Sequence, residues 1–289
     1  IAHEIGHSLG LSHTQASSNY SGTTYGSNTS TGSVNNTISY SIMSYFDYIG
    51  DISDAGKSNG SPTTLMVNDI AALQYIYGVN EQYNATDTLY TLSSFSNDDY
   101  IYAAIWDAGG NDTFSWADQS TIANINLTAG AYSVFGNISS LSDSDLNSDL
   151  GAGSGVLGIA YNVVIENAIG GSAADTIVGN SAANMIYGGA GVGVQDTLTG
   201  GAGIDTFVCL LSDATTNLSE TDIILDFTNG VDLIGLEDRS VSDLGWKAID
   251  ADILNTQIYD LSTLKNLFIL DNFDYTLLDT SDFIQTDFV

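Results

Sequence analysis

The sequence of 289 residues contains one cysteine, Cys209, so no intrachain disulfide can brace the fold. It follows Phe207 and Val208 in an apolar stretch, the setting of a buried thiol rather than a reactive one. So little cysteine fits an exported protein that does not depend on oxidative folding. Cationic side chains are as scarce: 4 Lys and Arg face 35 Asp and Glu, for a formal net charge of -31. Such a chain has no cationic surface to displace the counterions of nucleic acid, and anionic membranes repel it. No apolar run reaches the roughly 18 residues of a membrane span. Glutamate is confined to Glu4, Glu81, Glu166, Glu220 and Glu237, so the acid is mostly aspartate. Short, stiff Asp suits tight turns and calcium loops. An acidic surface selected for solubility in salt is the other reading of the composition. Hydrophobic residues still make up 43%, enough for a sizeable core.

The pattern changes along the chain. Residues 1–13 read as a helix entering a turn, 14–37 as a Ser/Thr/Asn/Gly loop, and 40–46 as a compact apolar turn. Apolar positions at 70, 73, 76 and 77 predict a helix over 69–77, capped by Asn68 or Asp69 and ended by Gly78. From about residue 85, β-type runs take over: Thr88–Leu92, Tyr100–Trp106, Thr121–Leu127 and Tyr161–Ile165. The domain boundary is placed near residue 80. Residues 209–289 alternate β-like runs with acidic turns and read as a β-rich cap.

Between 170 and 208 the chain repeats itself. Segments starting at Gly170, Gly179, Gly188 and Gly200 align, in steps of nine, nine and twelve residues. Each has a Gly-rich turn, then Asp175, Asn184, Asp196 or Asp205, then an apolar residue two positions later: Ile177, Ile186, Leu198 or Phe207. This is the nonapeptide pattern of a calcium-binding parallel β-roll. Glycines at 170, 188, 189, 191, 200, 201 and 203 (Gly170, Gly188, Gly189, Gly191, Gly200, Gly201, Gly203) allow the turn, whose carbonyls and carboxylates suit a hard cation. Alternate repeats stack, so Asp175 is expected over Asp196 and Asn184 over Asp205. Neutral Asn184 is expected to weaken its site, and the extra residues at 192–195 disturb one turn. Gly109-Gly110-Asn111-Asp112 is a shorter, weaker match that adds Asp112 as a calcium candidate.

The opening carries the catalytic pattern. His3-Glu4-Ile5-Gly6-His7-Ser8-Leu9-Gly10-Leu11-Ser12-His13 is H-E-x-x-H-x-x-G-x-x-H, and it uses every histidine in the chain. His3 and His7 share a helix face. Gly10 lets the chain turn back to deliver His13. Three neutral imidazoles on one Zn²⁺ leave a position for water, as in catalytic sites. Glu4 is placed to take a proton from that water. Met43 lies 30 residues after His13 in Ser41-Ile42-Met43-Ser44-Tyr45-Phe46; read alone it is a core residue, but the segment resembles the metzincin Met-turn, which implies a floor beneath the metal.

Together these motifs resemble the serralysins, secreted bacterial metzincin zinc endopeptidases with an RTX calcium β-roll. The resemblance runs through the first helix, Ser41–Phe46, Asn68–Gly78, Trp106–Phe114, Ile165–Val208 and Asp222–Leu236. It implies a mainly β chain. Residues 1–80 form the C-terminal portion of a metzincin catalytic domain, and 81–289 a calcium β-roll with a C-terminal secretion region. It also implies zinc on His3, His7 and His13, Glu4 as general base, Tyr45 as a movable zinc ligand and transition-state donor, and several structural Ca²⁺. Protein or peptide substrates, an extracellular location and export by ABC-type (type I) machinery follow from it too, the last from the tail Asp287-Phe288-Val289. Thr14 departs from the proline usual in that family. The sequence opens inside the catalytic helix, so the upstream sheet of the protease domain is expected to lie outside it, leaving this stretch a poor protease alone. A calcium-stabilised binding or structural protein with a vestigial protease portion is the alternative from another class.

Overall fold

The computed structural model describes residues 2–14, 38, 40–44, 62–91, 102–135, 155–191, 193–249 and 255–288. Among them the α-helices are α1 (Ala2–Ser8) and α2 (Val67–Tyr77); the rest is strands, turns and short 3-10 segments. The expectation of a mainly β chain holds. Contacts group the chain into two units, 1–110 with 129–163, and 111–128 with 164–289. The boundary expected near residue 80 falls just after α2, inside the first unit.

In the first unit, α2 begins two residues before the predicted start. Neither Asn68 nor Asp69 is its N-cap; Met66 is. Asp69 sits at the third helical position, and its carboxylate reaches back to accept the Met66 N–H at 2.9 Å. Gly78 ends the helix as expected, at φ 84° with its N–H on the Gln74 carbonyl. Strand Gly155–Ile159 pairs parallel with Tyr102–Ile105 and antiparallel with Tyr132–Phe135. The start of α2 lies against this sheet at Gly158, where a Cβ would stand 2.5 Å from Val67 Cγ2. Leu11, Ile42, Met43, Met66 and Ala72 form the core beside α1, with Leu65, Leu73 and Tyr132 against it.

The run Tyr161–Ile165 is not a strand. Asn162 adopts φ 66° and the Val163 N–H bonds back to the Ala160 carbonyl, so the backbone turns there. Its β-branched side chains suggested a strand because Val163 and Ile165 are buried, but burial does not require extended backbone.

The second unit is the roll. One sheet runs, in spatial order, Thr113–Ser115, Asn167–Ile169, Met185–Tyr187, Thr206–Cys209, Leu233–Leu236, Phe283–Gln285, all parallel. The other runs Ala123–Asn126, Thr176–Val178, Thr197–Thr199, Ile223–Ile224, Asn266–Leu270, again parallel. Antiparallel strands Thr256–Asp260 and Leu244–Ala248 close this edge. Successive repeats feed alternate sheets, so each three-residue strand points one side chain inward. Those side chains are the predicted Ile177, Ile186, Leu198 and Phe207, all fully buried. Cys209 is buried too, as expected.

Candidate metal centres

Helix α1 carries His3 and His7 one turn apart. Its end is set by Gly10 at φ 94°, where the Gly10 N–H bonds the His7 carbonyl and the Leu11 N–H the Gly6 carbonyl. The chain then doubles back, and His13 Nε2 comes to 3.1 Å from His3 Nε2 and 2.9 Å from His7 Nε2. The other ring nitrogens face carbonyls: His3 Nδ1 donates to Ile42 O at 2.6 Å and His7 Nδ1 to Leu11 O at 2.9 Å. With their protons on Nδ1, both rings present bare lone pairs at Nε2 toward the same point. A single proton on His13 Nε2 could serve only one of them, so the donor set suits a cation that accepts all three. A tetrahedral zinc with bonds of about 2.0–2.1 Å spaces its ligand nitrogens by roughly 3.3 Å, close to what is seen. Burial, then the His7 and His3 rings, holds His13 below the usual imidazole value, which favours the neutral, ligating form. The charge of Glu4 acts on His13 in the opposite sense.

The turn at 41–44 organises this centre. Asp69 Oδ1 accepts the Ser41 hydroxyl at 2.6 Å, while Oδ2 accepts the Ile42 N–H at 2.8 Å and the Met66 N–H. The Ile42 carbonyl receives His3, and the Met43 carbonyl receives the Thr14 N–H at 3.4 Å, next to His13. Met43 is buried against Gly6, as a floor under α1. Gly6 was missed in the sequence because x positions in the motif look unconstrained. Asp69 was noticed only as a helix cap. Burial pushes its carboxyl above the ordinary range, against the pull of its three hydrogen bonds. Tyr45 lies outside the described residues.

The roll carries the second set. The Asp175 N–H donates to Asp196 Oδ1 at 2.7 Å and the Asn184 N–H to Asp205 Oδ1 at 2.8 Å, so the predicted stacking is as expected. The twelve-residue step does not break the register: Asp175 still stacks on Asp196, and the strands that follow them pair in parallel. The stacking also runs past the motif. The Asp196 N–H donates to Asp222 at 2.9 Å and the Asp205 N–H to Asp232 at 3.0 Å. At the other end the Asp112 N–H donates to Glu166 at 2.8 Å. Asp222, Asp226, Asp232 and Glu166 were not singled out, because their spacing leaves the nonapeptide period. For Glu166, Asp222 and Asp232 a common signal was available, an acid directly before the first strand residue (Asn167, Ile223 and Leu233), as at Asp175 and Asp196; Asp226 follows its strand and carries no such signal.

Three observations bear on cations here. Asp205 Oδ2 is buried with no hydrogen-bond partner. The Gly200 and Gly201 N–H groups that could have served it bond Asp226 instead, at 2.9 and 2.8 Å. Burial, and then the charges of Asp232 and Asp226, raise Asp205 to about 6. Asp196 and Asp222 are raised too, mainly by burial. Neighbouring turns also touch backbone to backbone: a Cβ at Gly170 would meet the Gly188 carbonyl oxygen at 1.8 Å. Such close-packed carbonyls and carboxylates fit a hard, oxygen-seeking ion. The Asn184 rung differs. Its amide donates to the Glu166 carbonyl at 2.9 Å and accepts the Asn180 N–H at 2.7 Å, closing the turn with hydrogen bonds.

Among the described residues, no helix is long and apolar enough to cross a membrane. Residues 68–257 match the family model described as Peptidase M10 serralysin C terminal, and residues 1–115 match one described as Met-zincin. Serralysin of Photorhabdus luminescens is 37% identical over 264 residues, covering 85% of this chain and 49% of that protein. Metallopeptidase AprA of Pseudomonas marginalis is 36% identical over 203 residues, covering 64% of this chain and 38% of that protein. Serralysin B of Dickeya chrysanthemi is 38% identical over 188 residues, covering 62% and 35% respectively. The chain spans half or less of the length of these relatives. With two histidines on α1, a third brought back beside them, and the parallel roll in accord with the match, the chain belongs to the serralysin family of M10 metallopeptidases.

Proposed function

We propose that this chain carries the zinc site of a secreted endopeptidase that hydrolyses extended peptides, with calcium holding its β-roll together. The convergence of the three histidine Nε2 atoms, with Glu4 next to the first of them, carries the reading. Zinc held there supplies Lewis acidity, which lowers the pKa of water towards roughly 7 and polarises a scissile carbonyl. His3, His7 and His13 hold the metal as neutral ligands. Glu4 accepts a proton from the attacking water and passes it to the leaving amine nitrogen. Tyr45, two residues beyond Met43, is assigned the movable ligand and the hydrogen bond to the developing oxyanion. Residues 1–80 belong to the catalytic domain and 81–289 to the roll. Asp112, Asp175, Asp196 and Asp205, with the carbonyls of the glycine turns, hold calcium. Export runs through ABC-type machinery, and the substrates are extracellular proteins.

The test is casein hydrolysis by the complete gene product, with and without a zinc chelator. Glu4→Ala should retain zinc and lose nearly all activity. Wild-type rates in that variant, or an inactive wild type with zinc bound, would overturn the reading.

A further inference from the structure

The histidine centre is joined to a buried carboxylate by an unbroken hydrogen-bond path. Asp69 is 2% exposed and Ser41 1%. The Ser41 hydroxyl donates to Asp69 Oδ1 at 2.6 Å and accepts the Met43 N–H at 3.0 Å. That N–H belongs to the Ile42–Met43 peptide, whose carbonyl accepts His3 Nδ1 at 2.6 Å. Each link therefore points the same way: imidazole to carbonyl, the same peptide's N–H to hydroxyl, hydroxyl to carboxylate. Aligned hydrogen bonds polarise one another, most strongly where water is excluded. The second oxygen of Asp69 holds the peptide before it, through the Ile42 N–H at 2.8 Å, so the turn cannot rotate away.

We propose that Asp69 is a positioning residue for the metal centre, acting on His3 through Ser41 and the Ile42–Met43 peptide. Histidine ligands commonly donate their second N–H to a carboxylate or carbonyl, which sets the tautomer and raises the basicity of the ligating nitrogen. Here the carbonyl is the near partner and the carboxylate acts from behind it. Three donors converge on Asp69, so its charge is spread over two peptides and a hydroxyl: Ser41 and Ile42 in the turn that carries the metal floor Met43, and Met66 at the start of α2. The arrangement places His3 under closer control than His7, whose Nδ1 partner is the Leu11 carbonyl just past the turn that follows α1. The proposal rests on the reading of His3 as a metal ligand.

Cobalt(II) replaces zinc as the probe, because its visible spectrum reports ligand geometry, and zinc affinity is measured by chelator competition on the full chain. Ser41→Ala cuts the path but leaves Asp69 its two backbone donors. It should weaken zinc binding about 10–100-fold and alter the cobalt spectrum, with the circular dichroism of the roll unchanged. Ser41→Thr, which keeps the hydroxyl, should restore both. Asp69→Asn should resemble Ser41→Ala or exceed it, since one of its three donors then faces an amide NH₂; if it fails to fold, the Ser41 pair decides. Wild-type affinity and spectrum in Ser41→Ala would overturn the positioning role. Failure of the wild type to bind cobalt or zinc would instead overturn the metal-site reading on which it rests.

Discussion

Met43 fills the space that a side chain at residue 6 would need: a Cβ on Gly6 would stand 2.5 Å from Met43 Sδ. Met43 is 1% exposed and enclosed by Leu11, Ile42, Met66 and Ala72, so it has little room to retreat. Gly6→Ala should therefore cost about 1–3 kcal/mol through overpacking, despite the better helix propensity of Ala. Because α1 carries His3 and His7, zinc affinity should fall with it. Adding Met43→Ala should recover part of the loss in thermal unfolding. Full additivity of the two substitutions would show that the contact is not what excludes a side chain at residue 6.

Calcium removal is expected to loosen the roll selectively. A cation that binds only the folded form stabilises it by about 2.7 kcal/mol per site at a hundredfold excess over its Kd. For a unit of this size that is roughly 5–10 °C in Tm. Circular dichroism during EDTA titration, with calcium measured in parallel, checks it. An unchanged melting curve after confirmed calcium loss would contradict calcium-coupled stability.

Asp205 and Asn184 should respond in opposite directions. Asp205 Oδ2 is buried without a partner, whereas the Asn184 amide closes its own turn. Asp205→Asn keeps an acceptor for the Asn184 N–H but removes a charge, so the calcium-dependent gain in Tm should shrink. Asn184→Asp gives up the bond to the Glu166 carbonyl and adds a charge. It should lower Tm in EDTA and widen the gain on adding calcium. Equal gains in both variants would show that these rungs do not differ in cation dependence.

Asp260 gives the antiparallel cap an acid limit. Its Oδ1 accepts from the Ser262 hydroxyl at 2.7 Å, the Thr263 N–H at 2.8 Å, the Thr263 hydroxyl at 2.9 Å and the Ser262 N–H at 3.0 Å. These bonds, the Ser262 hydroxyl foremost, hold its carboxyl down to about 2. A depressed folded pKa means the unfolded chain binds the proton more readily. The stabilisation is thus present above the ordinary Asp value near 3.8 and is lost as pH falls toward 2. Asp260→Asn should remove that part of the acid sensitivity. Parallel stability curves for variant and wild type between about pH 5 and pH 2 would argue against it.

The legible parts of this protein are those whose geometry is local. Helical periodicity placed His3 and His7 on one face, and a glycine at position 10 permitted the positive φ that brings His13 back. Along the roll, the recurring order of glycine turn, acid or amide, and apolar residue two positions later put Ile177, Ile186, Leu198 and Phe207 in the interior and stacked Asp175 on Asp196. Where that order held, aligning the repeats was enough, even across the twelve-residue step. The run at 161–165 misled because apolar, β-branched residues there serve burial in a turn.

The tertiary structure decided what the local pattern could not carry. Within the repeats, partners on the ladder are 21 residues apart. Beyond them the spacing becomes 26 for Asp196 with Asp222 and 27 for Asp205 with Asp232. The irregular turns between them absorb the difference, and only the sheet pairing shows which carboxylate lands on which rung. The same holds at the histidines. The sequence by itself determined which nitrogens could meet, through helix pitch and one permissive glycine. The carbonyl facing His7 is local, four residues on. That the Ile42 carbonyl orients His3, and that Asp69 stands behind it, depended on packing a turn 39 residues away against α1. A hydrogen bond across that separation leaves no periodic trace, because it is set by where two elements pack, not by the spacing within either.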